Sequence, residues 1–378
     1  MSANAAVDPL TVLHLAANRW WTGSADPVIR LVVALRQRGH QALLGMIPGD
    51  RFEAKAREAG LDPVAGLHLR ASGAPLALAR DVRRIRTVVA QEGVDLIHAH
   101  HSHDHWLAVL SRTRGWRGTR VPVVRTVHSL RSLRRSLPAR ALYRRTAAVF
   151  AVSRQIEVRC LELGLPPSRV RWIPGMADLP RFSPEDNGQD IRDEFGLGAA
   201  PVVATVSRLA PNRGHELLLA GFRLLAARLP AARLLLVGKG EARARLEGLV
   251  QDLGLGGHVI FTGYRDRDLP AVLGAADCFA LMAAGSDDSC RAALEAMAAG
   301  RPVVARRVGA LPETVAHGET GWLIDDERPE SVADALAAIL GDRAAGRAMG
   351  RAGRQRVERD FSAERAVSIV DEVYRSLV

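Results

Sequence analysis

Residues 201–240 read PVVATVSRLAPNRGHELLLAGFRLLAARLPAARLLLVGKG. An apolar run at 201–207 gives way to a Pro-Asn-Arg-Gly turn and an amphipathic stretch at 215–229. A second apolar run at 232–237 then ends in Gly238-Lys239-Gly240. Short apolar runs that alternate with amphipathic segments are the mark of an α/β sheet. The alternation continues through strands at 258–262, 277–282 and 302–306, with helices at 241–253, 268–275 and 290–299. Upstream it predicts strands at 11–16, 41–47, 95–100, 121–128, 148–153 and 170–174, with helices such as 27–38 and 76–91 between them. Between the two series, 181–200 holds Pro184, Asn187 and three glycines and reads as a linker. After Asp326 the pattern is helical to the end, closing on an apolar stripe of Ala366, Ile369, Val370, Val373 and Leu377. The expected class is α/β: two doubly wound domains, 1–180 and 201–361, facing one another across a cleft.

At roughly 150 residues per domain, a chain of 378 residues is long enough for two cores without a disulfide or metal staple. A composition 48% hydrophobic and 25% charged fits neither disorder nor collagen. No window approaches the ~18 unbroken apolar residues of a membrane span. The first residues lack the charged start and apolar stretch of a signal peptide. Cys160, Cys278 and Cys290 are too few and too scattered for a disulfide framework or a zinc site. A reducing cytoplasm is the expected compartment. The net charge of +11 comes from 52 basic and 41 acidic residues, and all the basic ones except Lys55 and Lys239 are arginine. The excess is local: 105–155 contains twelve arginines and no Asp or Glu. A patch of one sign implies an anionic partner surface.

In doubly wound sheets ligands bind at the carboxyl ends of the strands, where loops meet helix N-termini. Four segments of the second half fall there. Arg208 and Arg213 flank a strand-to-helix loop, where two guanidiniums can fork onto phosphate oxygens beside free backbone N–H groups. Gly238 and Gly240 let backbone approach a ligand closely. Asp287, Asp288 and Ser289 follow the strand at 277–282; either aspartate could equally be a helix cap. Glu295 lies inside the apolar helix Ala292-Ala293-Leu294-Glu295-Ala296-Met297, and a buried carboxylate needs a partner. The last segment, after the strand at 302–306, carries Gly309 and Glu313. Four such loops at one sheet edge favour a ligand with phosphates and hydroxyls, hence a nucleotide.

The run from Gly285 through Asp287, Glu295 and Gly300 to Pro302 resembles the glutamate-x7-glutamate donor motif of family 4 glycosyltransferases. Gly309-Ala-Leu-Pro-Glu313 through Gly318 to Gly321 is similar to that family as well, and 208–214 resembles its phosphate loop. The resemblance extends over nearly the whole chain. It implies a GT-B fold of two Rossmann-like domains, a donor held by the C-terminal one, and a last helix, 362–378, crossing back to the N-terminal one. It implies that Glu295 binds the ribose hydroxyls, Arg208 and Arg213 the diphosphate, and Asp287 the transferred sugar. Gly238, Gly240, Asp288, Ser289, Gly309 and Glu313 would surround the donor. His128 would face the donor sugar near the reaction centre, and Gly23 would belong to the glycine-rich loop after the first strand. The implied activity is retaining transfer from a UDP- or GDP-linked sugar to a cell-surface glycan or lipid-linked acceptor, with no bound metal. A nucleotide-sugar epimerase of the same fold and a non-catalytic sugar-nucleotide-binding protein are the alternatives. This chain departs from the pattern in having Asp287 for the first glutamate, Arg213 for the loop lysine, and Pro174-Gly175-Met176-Ala177-Asp178 at the interdomain junction.

His98, His100, His101, His103 and His105, with Asp104, invite a metal reading, since neighbouring imidazoles chelate zinc or nickel. The first two point to the same side of a strand and the others alternate through a loop. The expectation is therefore a strand-end wall containing His100, with no metal. In the arginine patch, Leu130, Leu133 and Leu137 interleave with Arg131, Arg134, Arg135, Arg144 and Arg145, as in an interfacial amphipathic segment. The expected partner is an anionic membrane surface or a lipopolysaccharide-type acceptor. Nucleic acid is not expected, because aromatics beyond Trp116 and Tyr143 are missing.

Overall fold

A computed structural model of the chain describes residues 8–19, 24–69, 75–113, 115, 120–285 and 288–378. The chain divides into two compact units, one of 1–174 with 363–378 and the other of 175–362. In the first unit a parallel sheet contains β1 (Thr11–Ala16), β2 (Gln41–Met46), β3 (Leu96–Ala99), β4 (Val123–Val127), β5 (Ala148–Ala151) and β6 (Val170–Trp172). Its order is β2-β1-β3-β4-β5-β6. In the second unit the parallel strands are β7 (Val202–Val206), β8 (Arg233–Val237), β9 (Val259–Gly263), β10 (Cys278–Leu281), β11 (Val303–Arg306) and β12 (Gly321–Ile324). Their order is β12-β11-β10-β7-β8-β9. Parallel sheets need crossover helices, which bury both faces, so the strands read as unbroken apolar runs.

Alternation along those runs feeds two cores in the second unit. Val202, Ala204, Leu235, Phe279 and Val303 join one. Val203, Leu234, Leu236, Ala280 and Val304 join the other. The first sheet is asymmetric. One face carries the apolar cluster of Leu13, Leu15, Ile97, Ala99 and Val123. The opposite face presents His14, His98 and Thr126, all buried. Helix Ala363–Leu377 covers that face, its Tyr374 hydroxyl 2.5 Å from His98 Nδ1.

Three expectations change. The stretch 181–200 folds into the second unit instead of linking two domains: Phe182, Ile191 and Leu197 are buried in its core, and Gln189–Glu194 is helical. Strand β12 is an addition at the sheet's edge. On the last helix the buried stripe is Ala366, Val367, Val370, Asp371 and Tyr374; Ile369, Val373 and Leu377 stand beside it.

Candidate functional site

In the second sheet the strand order reverses between β7 and β10. Crossovers leave those two strands toward opposite sides, so a crevice opens between their carboxyl ends. The loops after β7, β8, β10 and β11 all emerge on this edge.

The loop after β7 is held from below by His215, the first residue of helix His215–Arg228. Its Nε2 lies 3.0 Å from Ser207 Oγ and 3.2 Å from the Arg208 carbonyl oxygen. A carbonyl only accepts, so Nε2 carries the proton; burial, more than the nearby Arg213, keeps the ring's pKa below its ordinary range. Arg208 extends outward, two-thirds exposed, with Nη2 2.9 Å from Glu241 Oε2. Arg213 reaches across to the β10 loop, where its Nη1 lies 3.4 Å from the position a Cβ on Gly285 would take. At Gly214 (φ +74°) a Cβ would come within 2.5 Å of Met282 Cβ, so only glycine lets this helix begin against the end of β10.

Gly238 and Gly240 were expected to admit a ligand; they admit another loop. A Cβ on Gly238 would lie 1.9 Å from the Ser207 carbonyl oxygen, and one on Gly240 2.1 Å from that of Leu209. The Leu209 N–H donates to the Lys239 carbonyl at 3.1 Å, and the Ala242 N–H to that of Leu209 at 2.9 Å. The two glycines therefore press the β8 loop against the loop that carries Arg208. Gly309 acts similarly between the β10 and β11 loops, where its Cβ would meet Ala284 Cβ at 2.8 Å and the Asp288 carbonyl oxygen at 2.9 Å.

Asp288 and Ser289 are buried at the end of the β10 loop. The Asp288 carbonyl accepts from the Ala310 N–H at 2.7 Å. Cys290 follows in the left-handed region, φ +53°, before helix Arg291–Ala298. Glu295 projects from that helix and is 4% exposed; the partner its burial demands is Arg291, with Nε 3.4 Å from Oε1. Glu313 lies half-buried in the short helix Leu311–Thr314, its carbonyl accepting from Arg356 Nη2 at 2.9 Å. Asp287 and Gly23 lie outside the described residues. The edge thus brings together two guanidiniums, a buried carboxylate and the N-termini of two helices, whose free N–H groups add partial positive charge. Such an edge can hold a diphosphate and a pair of hydroxyls.

In the first unit the order reverses between β1 and β3. His100 and His128 follow the ends of β3 and β4, both buried, with ring centroids 5.8 Å apart. Of the histidines read together from the sequence, His98 and His100 stack with ring centroids 4.3 Å apart, and the others turn elsewhere. His105 turns to Thr146 Oγ1 at 2.7 Å, and His101 bonds Asn18. Asp104 accepts from the backbone of Ala17 and His101, tying the β1 loop to a helix start. Desolvation raises its pKa to about 6, against the lowering pull of those bonds. In the arginine patch, Arg131, Arg134, Arg135, Arg144 and Arg145 are exposed, as is Leu137, but Leu133 turns into the core. His14, His215, Arg291 and Glu241 carry no motif signal and were missed.

Residues 22–181 match the model of Glycosyltransferase Family 4, and residues 188–356 that of Glycosyl transferases group 1. The D-inositol 3-phosphate glycosyltransferase of Corynebacterium urealyticum is 31% identical over 332 residues, 80% of this chain and 77% of that one. The chain belongs to glycosyltransferase family 4. Another family relative is the GDP-mannose-dependent alpha-(1-6)-phosphatidylinositol monomannoside mannosyltransferase of Mycobacterium tuberculosis. It is 37% identical over 229 residues, covering 57% of this chain and 60% of that protein. The matches thus span less than two thirds of these mannosyltransferases' length. Among solved structures, Anabaena HepE in complex with UDP and glucose superposes with a TM-score of 0.82 at 21% identity, covering 97% of this chain and 100% of that one. The fold is GT-B, with two Rossmann-like domains.

Proposed function

We propose that this chain is a retaining glycosyltransferase that takes a sugar from a UDP- or GDP-linked donor and passes it to a glycan or lipid-linked acceptor at the cytoplasmic face of a membrane. The observation that carries this reading is the gathering of Arg208, Arg213 and Glu295 at the β7/β10 reversal. As the glycosidic bond breaks, negative charge grows on the diphosphate. Guanidiniums aimed at it then bind the transition state more tightly than the ground state. They supply the positive charge, so donor binding needs no added metal. Glu295 would accept from the ribose hydroxyls, each charged hydrogen bond contributing about 1.5–3 kcal/mol. Asp287 and His128 are assigned to the transferred sugar, with His100 behind His128. The relatives' names support GDP-mannose as the first donor to try and an inositol phosphate or its lipid as the first acceptor.

The arginine patch supports a membrane-side acceptor. A cavity of about 290 Å³ opens among Arg134, Arg140, Arg144 and Arg169, with Tyr143 and Glu162 also lining it. Among the described residues no helix is long and apolar enough to cross a membrane, so attachment would be peripheral and electrostatic.

Transfer from GDP-mannose and UDP-glucose to inositol phosphate and to phosphatidylinositol, read by NMR, tests the reaction. The expected product is α-linked, formed at least a hundredfold more slowly by Arg208→Ala/Arg213→Ala. Sugar epimerisation without an acceptor, or no turnover of either donor, would overturn it. Co-sedimentation tests the surface: the protein should pellet with anionic vesicles and stay free with neutral ones, and Arg134→Glu/Arg135→Glu should lose the difference. Equal binding to both vesicles would sink the membrane reading.

A further inference from the structure

We propose that His14, His98 and His100 form a transition-metal site in the first unit, of the class that takes Zn²⁺ or Co²⁺ through three neutral imidazole nitrogens. The proposal is independent of the donor site, which lies in the second unit. Parallel pairing sets His14 opposite His98 on neighbouring strands. His100 follows two residues on, so its side chain returns to the same face. All three are 0–1% exposed. One ring nitrogen from each lies within 4.8 Å of the others, and among the described residues this is the one such group of three.

The distances suit an ion. His14 Nδ1 and His100 Nε2 are 3.1 Å apart. Two nitrogens bound at 2.0–2.1 Å to one tetrahedral ion stand about 3.3 Å apart. A His98 ring nitrogen lies within 4.8 Å of the other two, so its ring would shift inward to reach the same point. Its ring is flanked by the Tyr374 hydroxyl at 2.5 Å and Thr126 Oγ1 at 2.7 Å, and hydroxyls of this kind orient a ligating imidazole from behind. Binding an ion would take one His98 nitrogen from its hydroxyl and leave the other hydroxyl to accept from the remaining ring N–H.

His14 Nδ1 and His100 Nε2 face one another and can share one proton, whereas an ion would take both as acceptors. His14 Nε2 and His100 Nδ1 point away from that position and would carry the ring protons once the ion is bound. Among the described residues no carboxylate joins the three rings. Three neutral imidazoles without thiolates or carboxylates suit a late first-row ion better than Mg²⁺ or Ca²⁺. So deep a site would close around its ion as the unit folds.

The test uses the full chain without an affinity tag, produced in cobalt-supplemented medium and passed over chelating resin. One Co²⁺ per chain by elemental analysis, with the ligand-field absorption of a tetrahedral ion, is expected. His14→Gln and His100→Gln should each retain at most a tenth of that metal, while His68→Gln retains all of it. A parent protein without cobalt, or a His14→Gln variant that keeps it, would overturn the site and leave a water as the occupant. Should both glutamine variants fail to fold by circular dichroism, X-ray absorption at the cobalt edge of the parent decides. Three imidazole ligands are expected; one or none refutes the assignment.

Discussion

His215 touches no predicted ligand position, yet it fixes the backbone from which Arg208 leaves the sheet. Its proton is shared between Ser207 Oγ and the Arg208 carbonyl, and burial keeps the ring neutral. An ordinary imidazole titrates near 6.5. Below that pH the unfolded chain binds a proton that the folded second unit refuses, so this group's contribution to stability is lost as pH falls. The slope approaches about 1.4 kcal/mol per pH unit until the folded pKa is reached. His215→Gln cannot titrate. Urea unfolding should show it about 1 kcal/mol less stable at pH 7.5, with a shallower decline than the parent between pH 7 and 5. Parallel declines would mean the ring is not held neutral. Nothing in the sequence marks His215, because the first residue of a helix is seldom remarkable. Glu295 was legible for the opposite reason: a carboxylate inside an apolar helix needs an explanation. Its partner Arg291 sits one turn earlier and is found only once that helix is known to be buried.

The apolar runs that became β7, β8, β10 and β11 could be read directly, because sheets covered on both faces leave unbroken hydrophobic stretches. β12 escaped this reading. It is an edge strand that borders β11 alone, it opens on Gly321, and Trp322 is only half-buried, so it carries little of that signal. The glycines after β8 were legible as special, but their purpose was not, since close approach to a ligand and close approach to a loop leave the same mark. Gly238 has φ +148°, and its Cβ would lie 1.9 Å from a carbonyl oxygen. Gly238→Ala should therefore cost about 2 kcal/mol or more and weaken nucleotide binding by displacing Arg208. Gly248 lies in helix Arg243–Asp252 with no atom within 4 Å of its would-be Cβ. Gly248→Ala should stabilise by up to about 1 kcal/mol and leave binding unchanged. Thermal melts with and without nucleotide separate the two; an unperturbed Gly238→Ala would show that the β8 loop does not buttress the phosphate loop.

Across the whole chain, the existence of two α/β units was legible, and their boundaries were less so. The stretch 181–200 has linker composition, yet Phe182, Ile191 and Leu197 bury in the second core, a tertiary outcome that turn-forming residues around them conceal. The final helix shows a second limit. Its place in the first unit depends on polar anchors: Asp371 lies 3.0 Å from Arg38 and 3.1 Å from His40, and Tyr374 reaches His98. An apolar stripe cannot announce contacts made by a carboxylate and a phenol, so the buried face was placed beside its true position. The four donor loops, by contrast, converge because all strands of the second sheet run parallel and share one carboxyl edge. The claim that this edge holds a nucleoside diphosphate is tested most directly by calorimetric titration of the full chain, without added metal, with GDP, UDP and ADP. One of the three should bind one-to-one, with affinity about ten- to a hundredfold weaker in Arg208→Ala and in Glu295→Ala. No binding by any of the three, or binding unchanged in both variants, would contradict it.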